Sequence, residues 1–175
     1  MSGSSDSSVV ITHALRTPIG KLGGSFRSLS SVELGTSVVR SVLRYAGVPA
    51  ADFDFLVFGN ARQAGAGPNP ARQIAVRAGV PETKPAFTVN MACASGLKAI
   101  LLGADAIALG RARFVIAGGT ESMTNLPYLL PKMRYGYRIG NDRVVDAMYQ
   151  DGFVCPLSGL VMGETAEKLA HERSI

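Results

Sequence analysis

The sequence predicts an α/β domain with a mostly parallel sheet and flanking helices. Three observations carry that expectation. Apolar β-prone runs alternate with amphipathic helical patterns four times between Val9 and Ala117, the order that builds parallel β-α-β units. Helical patterns stop at Gly-x-Pro signals, Gly47-Val48-Pro49 and Gly79-Val80-Pro81, which end a helix and turn the chain. Hydrophobic residues make up 47% of the 175 residues and charged residues 18%, enough for a sizeable core and too little charge for a disordered chain.

The elements follow in order. Residues 1–8 are Ser-rich with one charge, Asp6, and are expected to form a disordered tail. They have neither the apolar centre of a secretory signal nor the arginines of a mitochondrial presequence, so the default expectation is cytoplasmic. The β-branched run Val9-Val10-Ile11-Thr12 is expected to be a buried first strand. Arg16 to Arg27 reads as a loop, and its glycines (Gly20, Gly23, Gly24) do not form the GxxxxGK[ST] phosphate loop. Ser31 is the expected N-cap of a helix carrying Val32, Leu34, Val38, Val39, Val42 and Leu43 at helical spacing. Phe53 to Phe58 is a second strand, ending at Gly59-Asn60. After a Gly/Ala-rich loop, Pro70 suits the first position of a short helix over 70–78. Pro85 to Val89 is a third strand, leading into a helix that runs to about Leu109. In that helix Leu97, Ile100, Leu101, Ala104, Ile107 and Ala108 are spaced to face a core. Phe114 to Ala117 is a fourth strand, meeting Gly118-Gly119.

Beyond Met123 the pattern changes, which divides the chain into an α/β domain over 9–123 and a partial loop domain over 124–175. Residues 126–159 show no sustained periodicity and one candidate short helix, Arg143 to Gln150. Met162 to Arg173 reads as an amphipathic helix, with Glu164 and Glu167 near its N-terminus and His171 and Arg173 near its C-terminus, complementing the helix dipole.

One residue stands out chemically. Cys93 falls where the third strand hands over to its helix, and a thiol at a helix N-terminus loses its proton more readily to become a nucleophile. Ala92, Ala94 and Gly96 around it are small and permit close approach. Parallel sheets place reactive groups beyond the carboxyl ends of their strands, and both Cys93 and Gly118-Gly119 sit there. A lone cysteine in an apolar helix is ordinarily a core residue; the flanking residues, discussed below, argue against that here. Lys98, five residues on at ~100° per residue, points away from the thiol and reads as a surface charge. Cys155 reads as structural filler, and His13 and His171 as packing or dipole-complementing residues. Two cysteines with no CxxC and no His/Cys cluster give no disulfide framework and no expected metal site. The net charge of +5 is scattered and accompanied by no nucleic-acid motif; a polyanionic small molecule suits it equally well. No run approaches the ~20 apolar residues of a membrane helix.

The string Asn90-Met91-Ala92-Cys93-Ala94-Ser95-Gly96-Leu97-Lys98-Ala99 closely resembles the acyl-enzyme signature of the thiolases, which make or cleave 3-ketoacyl-CoA through an S-acyl cysteine. Further segments resemble the family in its order: Ala14 to Gly20, Gly59-Asn60, Asn69 to Gln73, Ala117 to Met123, Arg134 to Arg138 and Met162 to Glu167. The resemblance implies that Cys93 is the nucleophile, with its own backbone N–H in an oxyanion hole. It implies that Met162, with Gly163, lines the pantetheine channel, although Val161 stands where the family often has a His. Arg134 and Arg138, with Lys132 and Arg143, form either an electropositive approach for the CoA phosphates or a subunit-assembly loop. Arg72 and Gln73 correspond to a dimer-interface helix. The implied substrates are acetyl-CoA or another acyl-CoA and CoA, with no separate cofactor, and the complete protein is expected to be a homodimer or tetramer.

Thiolases have two similar α/β halves, the second supplying an Asn-bearing motif, the catalytic His and a second Cys. None of these is present here, so the sequence is expected to be a truncated N-terminal half. An alternative is a non-catalytic module that pairs with an intact subunit. A ketoacyl synthase relative, which also places a Cys at a strand-to-helix junction, fits the Ala94 to Lys98 and Gly118 to Met123 strings less well.

Overall fold

The structure, a computed structural model, describes residues 8–175. The chain divides into two units, one reaching Asn125 and one spanning Leu126–Ile175. Of the Ser-rich tail, all but Ser8 lies outside the described residues.

The first unit is built on a three-stranded parallel sheet of β1 (Phe55–Gly59), β2 (Ala86–Val89) and β3 (Val115–Gly119), in the order β2-β1-β3. The register pairs Leu56 with Ala86 on one side and with Ile116 on the other. Three helices cover it: α1 (Ser31–Ala46), α2 (Pro70–Ala78) and α3 (Ser95–Ala108). Strand alternation divides the sheet's faces. Leu56, Phe58 and Ile116 join Val32 and Val39 of α1 and Ala71, Ile74 and Ala75 of α2 in one buried cluster. The helices α1 and α2 approach closely at Gly35, where a Cβ would lie 2.5 Å from the Ile74 side chain. The opposite face, with Val115, Ala117, Gly59 and Gly119, receives α3.

Local chemistry sets the helix ends. The N-cap of α1 is Ser30 rather than Ser31. Its hydroxyl accepts from the Glu33 N–H at 3.2 Å while Glu33 accepts from the Ser30 N–H at 2.8 Å. Only Ser30 stands three residues before a Glu, so only it closes this reciprocal box. Asn69 caps α2 by accepting from the Arg72 N–H, with Pro70 at the first helical position, and Gly79 ends that helix at a φ of 95°.

Two further sequence expectations fail in this unit. The run Val9 to Thr12 forms no strand; Val10 and Ile11 are 68% and 73% exposed. β-propensity takes effect only where a neighbouring ladder accepts the backbone groups, and among the described residues no segment pairs with 9–12. In α3 the residues turned to the sheet are the small ones, Ser95, Ala99 and Gly103. Leu97, Ile100 and Leu101 are 60%, 38% and 48% exposed. A Cβ on Gly103 would already lie 3.1 Å from Val115, so the helix sits too close to the strands for a leucine to fit between them.

Asp54 pins the start of β3 beside β1. Its carboxylate accepts from the Arg113 and Phe114 N–H groups at 2.6 and 3.1 Å, and its own N–H donates to the Phe114 carbonyl at 2.8 Å. Those two donors hold its carboxyl below the ordinary 3.8. Asp54→Ala is therefore expected to cost about 1–2 kcal/mol at neutral pH, toward the low end because solvent screens the site. A carboxyl with a lowered folded pKa stabilises the fold above its unfolded value and loses that contribution as pH falls through the folded one. The gap between wild type and variant in urea melts should shrink as pH falls below 3.8; a gap independent of pH would refute the assignment.

In the second unit, β4 (Tyr128–Leu129) pairs antiparallel with β5 (Val145–Asp146). The expected helix over 143–150 is thus a short strand followed by a single π turn, Tyr149–Phe153. Asp146 accepts from the Met148 N–H at 2.8 Å, a capping bond that lets the helical turn begin only after residue 146. The helix α4 (Met162–Arg173) has the expected bounds. Glu164 reaches back to the Val161 N–H at 3.0 Å to close its start.

Candidate active site

Three strand ends converge in the first unit, and each is followed at once by a polar residue: Asn60 after β1, Asn90 after β2, and Thr120-Glu121 after β3. The Asn60 N–H donates to the Val89 carbonyl at 3.1 Å, extending the β1–β2 ladder by one bond. The chain then makes a tight turn before α3. The Ala94 N–H bonds to the Met91 carbonyl and the Ser95 N–H to the Ala92 carbonyl, at 3.0 and 3.1 Å. The Ser95 hydroxyl ties the turn shut, donating to the Ala92 carbonyl at 2.6 Å and accepting from the Met91 N–H at 2.9 Å. Within this turn Ala92 has a φ of 48°, a left-handed conformation that costs a non-glycine residue about 1–2 kcal/mol.

The bent backbone presents the next residue, Cys93, at the surface, where it is exposed and free. Cys93 is thus not the core residue that a lone cysteine in an apolar helix ordinarily is. Cys93 lies two residues before the first residue of α3, in the region where helix-end N–H groups are directed. The floor beneath is made of glycine. A Cβ on Gly59 would lie 2.5 Å from the Ser95 carbonyl carbon, and one on Gly119 would lie 3.3 Å from the Gly59 oxygen. These two glycines let the first turn of α3 rest directly on the ends of β1 and β3. Lys98 is half-buried and makes no ion pair among the described residues.

Glu121 is the half-buried acid of this region. Its carboxylate accepts from the Asn60 side-chain amide at 2.8 Å and from the Ala61 and Arg62 N–H groups at 2.9 and 3.2 Å. Burial pushes its carboxyl up; the N–H donors of Ala61 and Arg62 oppose that rise. Asn90 completes the arrangement. Its amide nitrogen donates to the Ala61 carbonyl and its oxygen accepts from the Ala92 N–H, both at 2.9 Å. Taken singly in the sequence, Asn60, Asn90 and Glu121 carry no mark of a role. The signal that could have found them is their position, immediately past the carboxyl ends of successive strands.

The remaining residues singled out from sequence lie elsewhere. His13 is exposed beside the Thr12 hydroxyl. Arg72 donates to the Lys84 and Glu82 carbonyls, both at 2.8 Å, and Gln73 to those of Ala66 and Pro68, so both brace loops of their own chain. In the second unit Arg134 and Arg138 are exposed and make no ion pair among the described residues, whereas Lys132 meets Asp142 at 2.7 Å. Met162, 54% exposed at the start of α4, lines a shallow groove of about 220 Å³ with Tyr149, Phe153, Val161 and Gly163. Cys155 is half-buried, and the Ser158 hydroxyl with the Ser158 and Leu157 N–H groups pulls its thiol pKa down. His171 is exposed in the last turn of α4. Among the described residues no helix is long and apolar enough to cross a membrane.

Comparison with known proteins bears on the same residues. The model of the thiolase N-terminal domain matches residues 9–175. The chain is 46% identical to an acetyl-CoA acetyltransferase of Schizosaccharomyces pombe over 167 residues, covering 95% of this chain and 42% of that protein. It is 43% identical to a probable acetyl-CoA acyltransferase of Staphylococcus epidermidis over 169 residues, covering 97% and 43%. Among solved structures, it superimposes on the Acat5 thiolase from Ascaris suum, a complex with coenzyme A, with a TM-score of 0.85 at 34% identity, covering 92% of this chain and 42% of that one. The chain thus spans about two-fifths of the length of these relatives.

Proposed function

Because the chain belongs to the thiolase family, we propose that it carries the acyl-accepting side of an acyl-CoA C-acyltransferase site, with Cys93 as the nucleophile. The observation that carries this reading is the exposed Cys93 thiol on a strained turn between β2 and α3, within a sequence match that spans the whole unit. In the step proposed, the Cys93 sulfur attacks the thioester carbonyl of acyl-CoA. A tetrahedral oxyanion forms and collapses, the carbon–sulfur bond to CoA breaks, and the acyl group stays on Cys93 while CoA leaves as its thiol. The backbone N–H of Cys93 is the proposed donor to the oxyanion. A second CoA-borne nucleophile then takes the acyl group: an acetyl-CoA carbanion in synthesis, or CoA thiolate in degradation. The substrates in this reading are acetyl-CoA or a longer acyl-CoA and CoA, with no separate cofactor.

Roles for Met162 and for Arg134 and Arg138 belong to the same reading. Met162 and the groove at the start of α4 suit the methylene segments of a pantetheine arm. The solvent-facing guanidinium groups of Arg134 and Arg138 suit the CoA phosphates. Assembly as a dimer or tetramer in a cytoplasmic setting is part of the proposal.

The test is to incubate the 175-residue protein with acetyl-CoA and map adducts by peptide mass spectrometry. Acetyl on Cys93 and not on Cys155 is the expected result. A folded protein that carries no acetyl on Cys93, or carries it equally on both thiols, would overturn the assignment for this chain.

A second reading, a non-catalytic module that pairs with an intact subunit, is favoured by one observation: the apolar outer face of α3 at Leu97, Ile100 and Leu101 is open to solvent. Co-expression with a full-length relative decides it. A mixed oligomer in native mass spectrometry without acetylation supports the module; its absence removes the idea.

A further inference from the structure

We infer that Glu121 and Asn90 are positioning residues for Cys93, joined through the single peptide group between Ala61 and Arg62. The inference rests on the reading of Cys93 as the nucleophile.

One chain of hydrogen bonds links the two residues to the turn. The Arg62 N–H donates to a Glu121 carboxylate oxygen at 3.2 Å, and the carbonyl of that same peptide, from Ala61, accepts from the Asn90 amide at 2.9 Å. A negatively charged acceptor on the N–H side polarises a peptide and strengthens its carbonyl as an acceptor. That fixes which way the Asn90 amide faces: nitrogen toward Ala61, oxygen toward the Ala92 N–H at 2.9 Å. The other orientation would set two acceptors against each other at Ala61 and two donors at Ala92. Ala92 is the residue held at a φ of 48°, immediately before Cys93.

A strained conformation persists only when its surroundings hold it. Here the holders are Asn90 on the N–H of Ala92 and Ser95 on its carbonyl, at 2.9 and 2.6 Å. Glu121 itself is fixed by three further groups, the Asn60 amide, the Ala61 N–H and a nearby Arg62 charge. Glu121 therefore acts on the thiol at a distance, through Ala61–Arg62 and then Asn90, without touching a reacting atom.

The experiment compares wild type, Asn90→Ala, Glu121→Gln and the double variant of the 175-residue chain, with Asn90→Asp as a further probe. The last keeps the acceptor for Ala92 but removes the donor to Ala61, and Asn90 is exposed, so it stays informative if Glu121→Gln does not fold. Exchange of the Ala92 amide is read by NMR, and the rate of Cys93 acetylation by acetyl-CoA by mass spectrometry. Glu121→Gln is expected to speed Ala92 exchange about tenfold, the equivalent of one hydrogen bond, although it does not contact Ala92. Both single variants should slow acetylation roughly 10–100-fold, the scale of a misplaced reacting group. The double variant should be no slower than Asn90→Ala alone, because both act along one path. Additive losses, or unchanged Ala92 exchange in folded Glu121→Gln and Asn90→Asp, would overturn the inference. If wild type is not acetylated at all, the acyl-transfer reading fails instead, and the exchange data still decide whether Glu121 reaches Ala92.

Discussion

Cys93→Ser is expected to lower transfer of the acetyl group from acetyl-CoA to the protein by roughly 10³-fold or more, with little change in stability. The reason is the identity of the attacking atom. A free thiol supplies a few per cent of a strongly nucleophilic thiolate at neutral pH, whereas a serine hydroxyl supplies almost no alkoxide and needs an adjacent base. Around position 93 the groups within the turn are backbone amides and small residues, and the nearby polar side chains of Asn90 and Ser95 are occupied with the backbone of Met91, Ala92 and Ala61. None is a base for a serine. Because Cys93 is exposed, its sulfur contributes little packing, and the variant should melt within about 0.5 kcal/mol of wild type. Mass spectrometry after incubation with acetyl-CoA checks the first point and urea unfolding the second. Acetylation of the serine at a rate near that of wild type would remove Cys93 from its proposed role.

The second large effect is expected at a residue with no functional group. Gly59→Ala should cost about 2–3 kcal/mol or more and disable Cys93 at the same time. A methyl group at Gly59 would lie 2.5 Å from the Ser95 carbonyl carbon and 2.7 Å from the Gly96 nitrogen, both backbone atoms that cannot swing aside as a flexible side chain would. The first turn of α3 must therefore lift from β1, or β1 must shift, and the turn that displays Cys93 moves with it. Gly96→Ala provides the comparison. A Cβ there meets nothing within 4 Å, and alanine favours a helix over glycine by up to about 1 kcal/mol. Urea unfolding of the two variants should therefore move in opposite directions. Equal stabilities would show that the contact between β1 and α3 is softer than the geometry states.

Much of this protein was legible in its sequence because the signals are local. The bounds of α2 and α4 follow from Pro70 and Gly79 and from the first-turn Glu164, all acting within one turn of the helix ends they define. The position of Cys93 between a strand and a helix was likewise readable, since the β-prone run before it and the helical run after it need no distant partner to be recognised. The family resemblance rests on the same short strings.

What was not legible depended on residues far apart in the chain. Val9 to Thr12 has the composition of a strand, yet a strand exists only where another backbone completes its hydrogen bonds, and composition carries no information about that partner. The helical spacing of Leu97, Ile100 and Leu101 correctly marks an apolar face of α3. Periodicity cannot say which face meets the sheet, and here the closer fit of Ser95, Ala99 and Gly103 against the strands took that place. Asn60, Asn90 and Glu121 are ordinary polar residues when read singly. Only the parallel sheet, by bringing the carboxyl ends of β1, β2 and β3 to one edge, places them around the peptide that leads to Cys93.

The sequence by itself determined the nucleophile candidate, the bounds of α2 and α4 and the family, because those are properties of contiguous residues. The tertiary structure alone decided which side of α3 is buried, why Gly59 must be glycine, and how Glu121 reaches the turn at Ala92. Each of those depends on distances between segments separated in the chain, from Gly103 and Val115 to Ala61 and Glu121, which arise only when the sheet and its helices pack together.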